Sequence, residues 1–219
     1  MPLQARSGAM RVLPRIRADD RRNNAPTRHA TRPRTLQAMV NEYRRRHSPG
    51  QFYDLEFFRG LSLDKAVSHA ALAENGKNKR YSHQRRIRRA PMEQAKKILL
   101  DQANHLSTLK PFDQLHAYLS KLLLPIPGLG KLYVYDTAFR LGAHLKILPS
   151  TVYLHAGTRM GARALGLTGE EIQIEDLPTA LRILKAHELE DFLCIYAREL
   201  LGGGPTSRAC RPISPRRRC

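Results

Sequence analysis

The chain has 219 residues, enough for one domain with tails or at most two small domains. Lysine and arginine number 38 against 19 aspartate and glutamate residues, which gives a formal net charge of +19. This excess indicates a polyanionic partner, for which nucleic acid is the usual one, with an acidic protein as the alternative. Aromatic residues make up 6% and Trp is absent, which excludes a large aromatic platform for stacking single-stranded bases.

No stretch approaches the ~18 to 20 consecutive apolar residues of a membrane helix, and residues 1–35 lack the apolar core of a signal peptide. Three cysteines, Cys194, Cys210 and Cys219, lie too far apart for a metal site and form no Cys-x-x-Cys pair. We therefore expect no cofactor, no disulfide framework and no membrane partner. The expected location is reducing and intracellular, either cytoplasmic or nucleoid-associated.

The chain divides into three parts by composition. Residues 1–35 are rich in Arg and Pro without apolar periodicity, which predicts a disordered basic arm. Residues 36–204 carry helical periodicity and predict one all-α domain. Residues 205–219 predict a second disordered basic tail. An organelle transit peptide is the alternative interpretation of the arm.

Apolar residues recur at helical spacing along most of the domain. A Ser-Pro-Gly break is predicted at 48–50, and a short strand or extended segment is open for 170–176. We predict helices over 36–46, 63–74, 91–106, 112–124, 132–145, the later part of 151–165, and 177–201 with a break near His187.

A basic strip lies between two of the predicted helices, over 77–89. Its cations have no acidic residue among them in sequence, so they repel one another unless an anion compensates. We interpret the strip as a phosphate-contacting segment, with a solvated loop as the alternative. The strip's cations are Lys77, Lys79, Arg80, Arg85, Arg86, Arg88 and Arg89.

A Pro/Gly hairpin over 125–131, Pro-Ile-Pro-Gly-Leu-Gly-Lys, joins two predicted helices. Gly128 and Gly130 allow a positive φ and a close approach of the backbone to another surface. The second glycine opens a helix, whose first N–H groups lack internal partners and favour an anion such as phosphate. We predict that Gly128, Gly130 and Lys131 contact nucleic-acid phosphates.

This helix, hairpin and helix arrangement resembles the helix-hairpin-helix DNA-binding element. The resemblance implies that the amides around Gly128 and Gly130 bind a phosphate, that Lys131 supports them, and that Leu129 is a buried anchor. It covers about 50 of the 219 residues.

The following segment is similar to the helix-hairpin-helix base-excision glycosylases, which carry Val-Asp-x-His-Val about twenty residues later and an Arg beyond it. Here the segment 152–156 reads Val-Tyr-Leu-His-Ala, and Arg159 follows. Tyr153 stands where that family has its catalytic Asp, and a phenol of pKa about 10 does not replace a carboxylate that stabilises a cation. Thr137-Ala138 comes about one helical turn later than in the family.

Two residues remain as candidates for catalysis. Asp136 is a possible acid or base, and His155 could orient a substrate. The structural alternative is an ion pair between Asp136 and Arg140, which are i,i+4 neighbours on a helix. Lys131 as a Schiff-base nucleophile is a further alternative to its role as a phosphate cation.

Three functions follow from these observations. The first is a protein that binds the phosphates of double-stranded DNA largely independently of sequence, with Arg159 adding to the hairpin and the strip. The second is an enzyme, a divergent DNA glycosylase that uses Asp136. The third is an RNA-associated structural protein whose helices pack on a partner.

Two packing expectations accompany them. His144 should be a core histidine, and the small residues Gly157, Gly161 and Gly166 should allow close helix–helix contact.

Overall fold

A computed structural model of the chain describes residues 34–202. The predicted arm and tail, with Cys210 and Cys219, lie outside the described residues, apart from Arg34 and Thr35. The described part is mostly helical, which confirms the all-α class. Its helices are α1 Leu36–Arg46, α2 Ser48–Arg59, α3 Leu63–Ala71, α4 Arg89–Asp101, α5 Ala103–Leu106, α6 Phe112–Leu123, α7 Lys131–His144, α8 Ala156–Ala164, α9 Ala186–Ile195 and α10 Ala197–Leu200.

Two short strands accompany the helices. Strand β1, Val152–Tyr153, pairs antiparallel with β2, Glu171–Ile172, and places Val152 opposite Ile172. The extended segment predicted within 170–176 is therefore present as β2. Single turns of 3₁₀-helix occur at Ser82–Gln84, Ile174–Asp176 and Thr179–Leu181.

The buried apolar side chains form two clusters. A larger core joins α2, α3, α4, α6 and α7, and contains Phe58, Met92 and Leu115. A smaller core joins α1, the strands and α9 through residues such as Tyr43 and Phe192. Helix α7 belongs to the larger core, while β1 contributes Tyr153 to the larger core and Val152 to the smaller one.

Four boundaries differ from the prediction, and each has a local cause. Helix α1 ends at Arg46 as predicted, but the break lies at His47 and not at 48–50, because α2 begins at Ser48 and accommodates Pro49 in its first turn, where no N–H is needed. Helix α3 ends at Ala71 instead of residue 74. Ala73 takes a left-handed conformation (φ +52°), and the Glu74 N–H donates to the His69 carbonyl, which closes the helix end.

The other two differences lie further along the chain. The helix predicted over 91–106 starts two residues early at Arg89 and is interrupted at Gln102, which separates α4 from α5. The helix predicted over 177–201 begins only at Ala186. The segment before it forms the Thr179–Leu181 turn, and the Lys185 N–H donates to Glu188 at the start of α9.

The packing expectations hold for His144, Gly157 and Gly161 but are wrong for Gly166, which is exposed, has φ +78° and would meet no atom within 4 Å of an added Cβ. His144 is half-buried, and its Nδ1 lies 3.2 Å from the Phe58 carbonyl oxygen. Helix α8 approaches α9 closely: a Cβ on Gly161 would lie 2.2 Å from the Leu193 carbonyl oxygen. A Cβ on Gly157 would lie 2.8 Å from the Cys194 sulfur.

Candidate functional site

The turn between α6 and α7 has two apolar side chains buried in the core, while its two glycines are exposed. Ile126 and Leu129 are buried in the larger core, and the Leu129 N–H donates to the Ile126 carbonyl at 3.2 Å. Gly128 has φ +93°, a conformation that glycine adopts without strain. Gly130 is exposed and precedes α7, and a Cβ placed on it would meet no atom within 4 Å.

Lys131, the first residue of α7, already has an acidic neighbour. Its Nζ donates to Glu170 Oε1 at 2.7 Å, and both side chains are more than half exposed. Exposed pairs of this kind contribute little to stability, so an incoming phosphate could displace Glu170 at small cost. The hydrogen bond from Lys131 lowers the pKa of the Glu170 carboxyl.

Two cations of the basic strip have partners in the structure that the sequence does not indicate. Arg89 binds two carboxylates, Glu74 and Glu93, each at 2.7 Å. Arg80 donates to the Ile87 carbonyl at 2.9 Å. The prediction that the cations of the strip repel one another without a compensating acid is therefore wrong for Arg89. The strip's other cations are exposed and make no ion pair with a described residue: Lys77, Lys79, Arg85, Arg86 and Arg88.

The turn and the strip lie side by side. A Cβ on Gly128 would contact Pro91 Cγ at 3.7 Å, and Pro91 lies two residues after Arg89 at the start of α4. Arg88, which directly precedes α4, and both glycines of the turn are exposed. The sequence separates these segments by about forty residues, and their contact is a product of the tertiary fold.

Asp136 sits at the centre of a polar network. Its Oδ2 accepts from Gln84 Nε2 at 2.6 Å and lies 2.7 Å from His83 Nε2. Arg140 lies 3.6 Å away, which confirms the predicted i,i+4 pair, and also donates to Gln84. Burial opposes ionisation of Asp136, but Arg140 and His83 outweigh it and hold the pKa of this carboxyl below its usual range.

Asp136 lines a cavity of about 120 Å³, which we call the central cavity. Helices α2, α7 and α9 and the turn around His83 enclose it. Asp54 also lines the cavity and accepts a hydrogen bond from the Tyr81 hydroxyl at 3.1 Å. Burial raises the pKa of the Asp54 carboxyl. The guanidinium of Arg140 stacks over the Tyr81 ring at 4.2 Å.

His155, the second catalytic candidate, lies in a different place. It lines a lateral pocket of about 140 Å³ with Lys131, Arg159 and Glu170. Burial lowers the pKa of His155 to about 4, so the imidazole is neutral at pH 7. The ring of Tyr135, which lines the central cavity, packs against His155 at 4.8 Å. The structure therefore does not bring Asp136 and His155 into one cavity.

Arg159 and Tyr153 belong to the same side of the molecule. Arg159 donates to the Leu154 carbonyl at 3.1 Å, and its Nε is buried without a hydrogen-bond partner among the described residues. The Tyr153 hydroxyl donates to Asp113 at 2.8 Å. Lys131 and Arg159 thus converge at the lateral pocket, close to the start of α7.

Sequence reasoning missed most of the central cavity. Gln51 and Asp54 come from α2, and His187 and Glu190 come from α9. Their spacing of three places each pair on one helix face, which is the only local signal they carry. Nothing in the sequence links these faces to α7. Within the described residues, no group of three or more His, Cys, Asp or Glu side chains is arranged to hold a metal ion.

Comparison with known proteins finds no matching family model, no matching curated protein and no matching solved structure. No helix of the described part is long and apolar enough to cross a membrane.

Proposed function

We propose that this protein binds the phosphate backbone of double-stranded DNA, largely independently of sequence. The turn at 125–131 supplies backbone amides at the start of α7, and Lys131 supplies a cation beside them. The basic strip extends the contact along the duplex. This is the function that a helix-hairpin-helix element performs, and we extend it to the turn between α6 and α7.

The contact between Gly128 and Pro91 carries the proposal. It brings a glycine-rich helix start, which favours an anion, close to the end of the basic strip, where Arg89 is paired with two carboxylates but Lys77, Lys79, Arg85, Arg86 and Arg88 make no ion pair with a described residue. One phosphate on the turn would leave neighbouring phosphates of the same strand within reach of Arg88 and the residues before it. Two separate sequence signals therefore support a single interface.

The first prediction concerns the turn. Gly130→Ala should weaken binding of a short duplex about tenfold or more, because the added methyl group occupies the space through which a phosphate reaches the amides. Folding should be unaffected, since Gly130 has an ordinary φ of −120° and open space at its Cβ position. Fluorescence anisotropy at several salt concentrations gives the affinity.

Gly50→Ala is the matched control for this experiment. Gly50 is also exposed, and its Cβ would likewise meet nothing within 4 Å. It should bind DNA as the unchanged protein does. Equal affinity of the Gly130→Ala variant, with an unchanged circular dichroism spectrum, would show that the turn makes no phosphate contact.

The second prediction concerns the basic strip. Arg85→Ala/Arg86→Ala should reduce the steepness of the dependence of log affinity on log salt by about two, because each lost phosphate contact removes about 0.9 from the slope. The change Arg44→Ala/Arg45→Ala, which removes the same charge from exposed positions on α1, should leave the slope unchanged. An equal loss of slope in both variants would mean that net charge alone, without a defined strip, drives binding.

Binding measurements with RNA and an assay for base release test the two alternative functions. Preferential binding of RNA over duplex DNA would favour the RNA-associated structural protein. Release of a base from damaged duplex, abolished by Asp136→Asn, would favour the glycosylase. Two features favour this second function: Asp136 lines the central cavity, and Arg140 and His83 hold the pKa of its carboxyl below the usual range.

A further inference from the structure

The central cavity has a charge opposite to that of its surroundings. Three carboxylates line it, those of Asp54, Asp136 and Glu190, against the single guanidinium of Arg140. His83 is the one exposed residue of the lining. Because His83 lies within the basic strip, the carboxylate-rich lining of the cavity adjoins a segment that is rich in cations.

Two buried polar atoms of the cavity wall find no hydrogen-bond partner among the described residues. They are Gln51 Oε1 and His187 Nδ1. His187 is only 6% exposed, and burial lowers its pKa to about 4, which leaves the ring neutral at pH 7. Buried polar atoms without partners are costly, so a ligand that bonds them gains more than one that meets a fully paired wall.

Aromatic rings make up much of the apolar part of the cavity wall. Tyr135 and Phe139 line the cavity with their rings 6.3 Å apart and nearly parallel. Phe139 also packs on His187 at 5.1 Å. An engineered cavity of about 150 Å³ accepts one benzene molecule, so a space of about 120 Å³ suits a single planar ring and excludes a larger ligand.

We infer that the central cavity binds a single-ring heterocycle bearing an amino group, of which cytosine is the representative. The Asp54 carboxylate and the Gln51 oxygen accept hydrogen bonds, so the ligand must donate them; Glu190, whose carboxylate already accepts from the Thr158 hydroxyl at 2.9 Å, adds negative charge to the lining. An amino group does this, whereas the carbonyl at the same position of uracil places an acceptor against carboxylates. The excess of negative charge further favours a ligand that is protonated or easily protonated.

The heterocycle has two possible sources, a free molecule or an unstacked base of a strand lying on the basic strip. Binding of the free molecule does not depend on the proposed contact with DNA. Binding of a base in a strand does depend on it, because the phosphates would hold that strand at the mouth of the cavity.

The test uses the full chain and three free ligands. Isothermal titration calorimetry should show saturable, one-to-one binding of cytosine and of 4-aminopyridine, a single-ring cation at neutral pH. Uracil should bind at least about tenfold more weakly, the cost of one mismatched buried polar contact. Equal binding of cytosine and uracil, or no saturable binding of either amino compound, would overturn the inference.

Variants locate the site. Asp54→Asn keeps an oxygen for the Tyr81 hydroxyl while removing the charge, and it should weaken cytosine binding about tenfold or more. Glu171→Gln, an exposed carboxylate outside this cavity, is the control and should bind cytosine unchanged. An unchanged affinity in Asp54→Asn would place any binding elsewhere and overturn the assignment.

A competition experiment separates the sources and the two proposals. If free cytosine displaces a cytosine-bearing single strand but not one made only of thymine, the cavity takes a base of the strand. If it displaces neither while still binding, the ligand is the free heterocycle. Cytosine binding that survives in Gly130→Ala, with duplex binding lost, would show that cavity and phosphate interface act independently.

Discussion

Replacing Gly161 with alanine should destabilise the protein more than any other glycine-to-alanine change in the described region, by about 3 kcal/mol or more. The added Cβ would lie 2.2 Å from the Leu193 carbonyl oxygen and 2.9 Å from its carbon. These atoms are backbone of α9, so no rotamer change can relieve the clash and the two helices must separate. Separation would expose part of the smaller core, where Leu193 is fully buried.

Chemical denaturation followed by circular dichroism measures the effect. Gly130→Ala is the appropriate comparison because its Cβ enters open space at an ordinary φ, and it should change the free energy of unfolding by less than about 1 kcal/mol. A loss in Gly161→Ala no larger than that of Gly130→Ala would contradict the close packing of α8 on α9.

The sequence predicts that α8 packs closely on another helix, but it does not identify that helix as α9. Small residues at 157 and 161 predict that another helix comes near, but nothing local indicates which one. Leu193 lies some thirty residues away, and the pairing depends on the path of the chain through the strands. The partner of a small-residue face is therefore a tertiary property, whereas the face itself is visible in the sequence.

Helices α6 and α7 were predictable because their information is local. The apolar stripe, the glycines and the prolines of the turn all fall within a few residues of one another. Leu129 was predicted as the buried anchor and is buried. The error at the start of α2 arose because a proline has two outcomes: Pro49 can break a helix or begin one.

The candidate site likewise combines contacts between near neighbours in sequence, which can be predicted, with long-range contacts, which cannot. The pairing of Asp136 with Arg140 follows from helical spacing and was predicted. The contacts of His83 and Gln84 with Asp136 span more than fifty residues, and those of Lys131 with Glu170 span 39. Charge patterning cannot reveal such partners, because a cation looks unpaired in sequence until the fold supplies a distant acid.

Asp191→Asn should stabilise the protein at neutral pH, by up to about 3 kcal/mol. Burial is the main cause that raises the pKa of the Asp191 carboxyl to about 6 from an ordinary value of 3.8, against the opposing hydrogen bonds from Tyr43 and Gln51. Asparagine keeps an oxygen that can accept from the Tyr43 hydroxyl, which lies 3.2 Å away. It removes the cost of holding a charge in this site.

The pH dependence identifies the cause. Below about pH 3 the carboxyl is protonated in both folded and unfolded chains, so the two proteins should differ little. As pH rises, the unfolded chain ionises first, and the contribution of Asp191 to stability is lost through the folded pKa of about 6. The advantage of Asp191→Asn should therefore grow between about pH 3 and about pH 7 and stay constant above.

An exposed aspartate provides the control for this titration. Asp176→Asn should show no such growth, since Asp176 lies on the surface of a 3₁₀ turn. His83 and Asp136 also act on Asp191, the first lowering its pKa and the second raising it. Removing the charge of Asp136 should therefore lower the pKa of Asp191 and reduce the benefit of Asp191→Asn. A benefit independent of pH would instead mean that asparagine improves packing or hydrogen bonding, and that the buried carboxylate carries no cost.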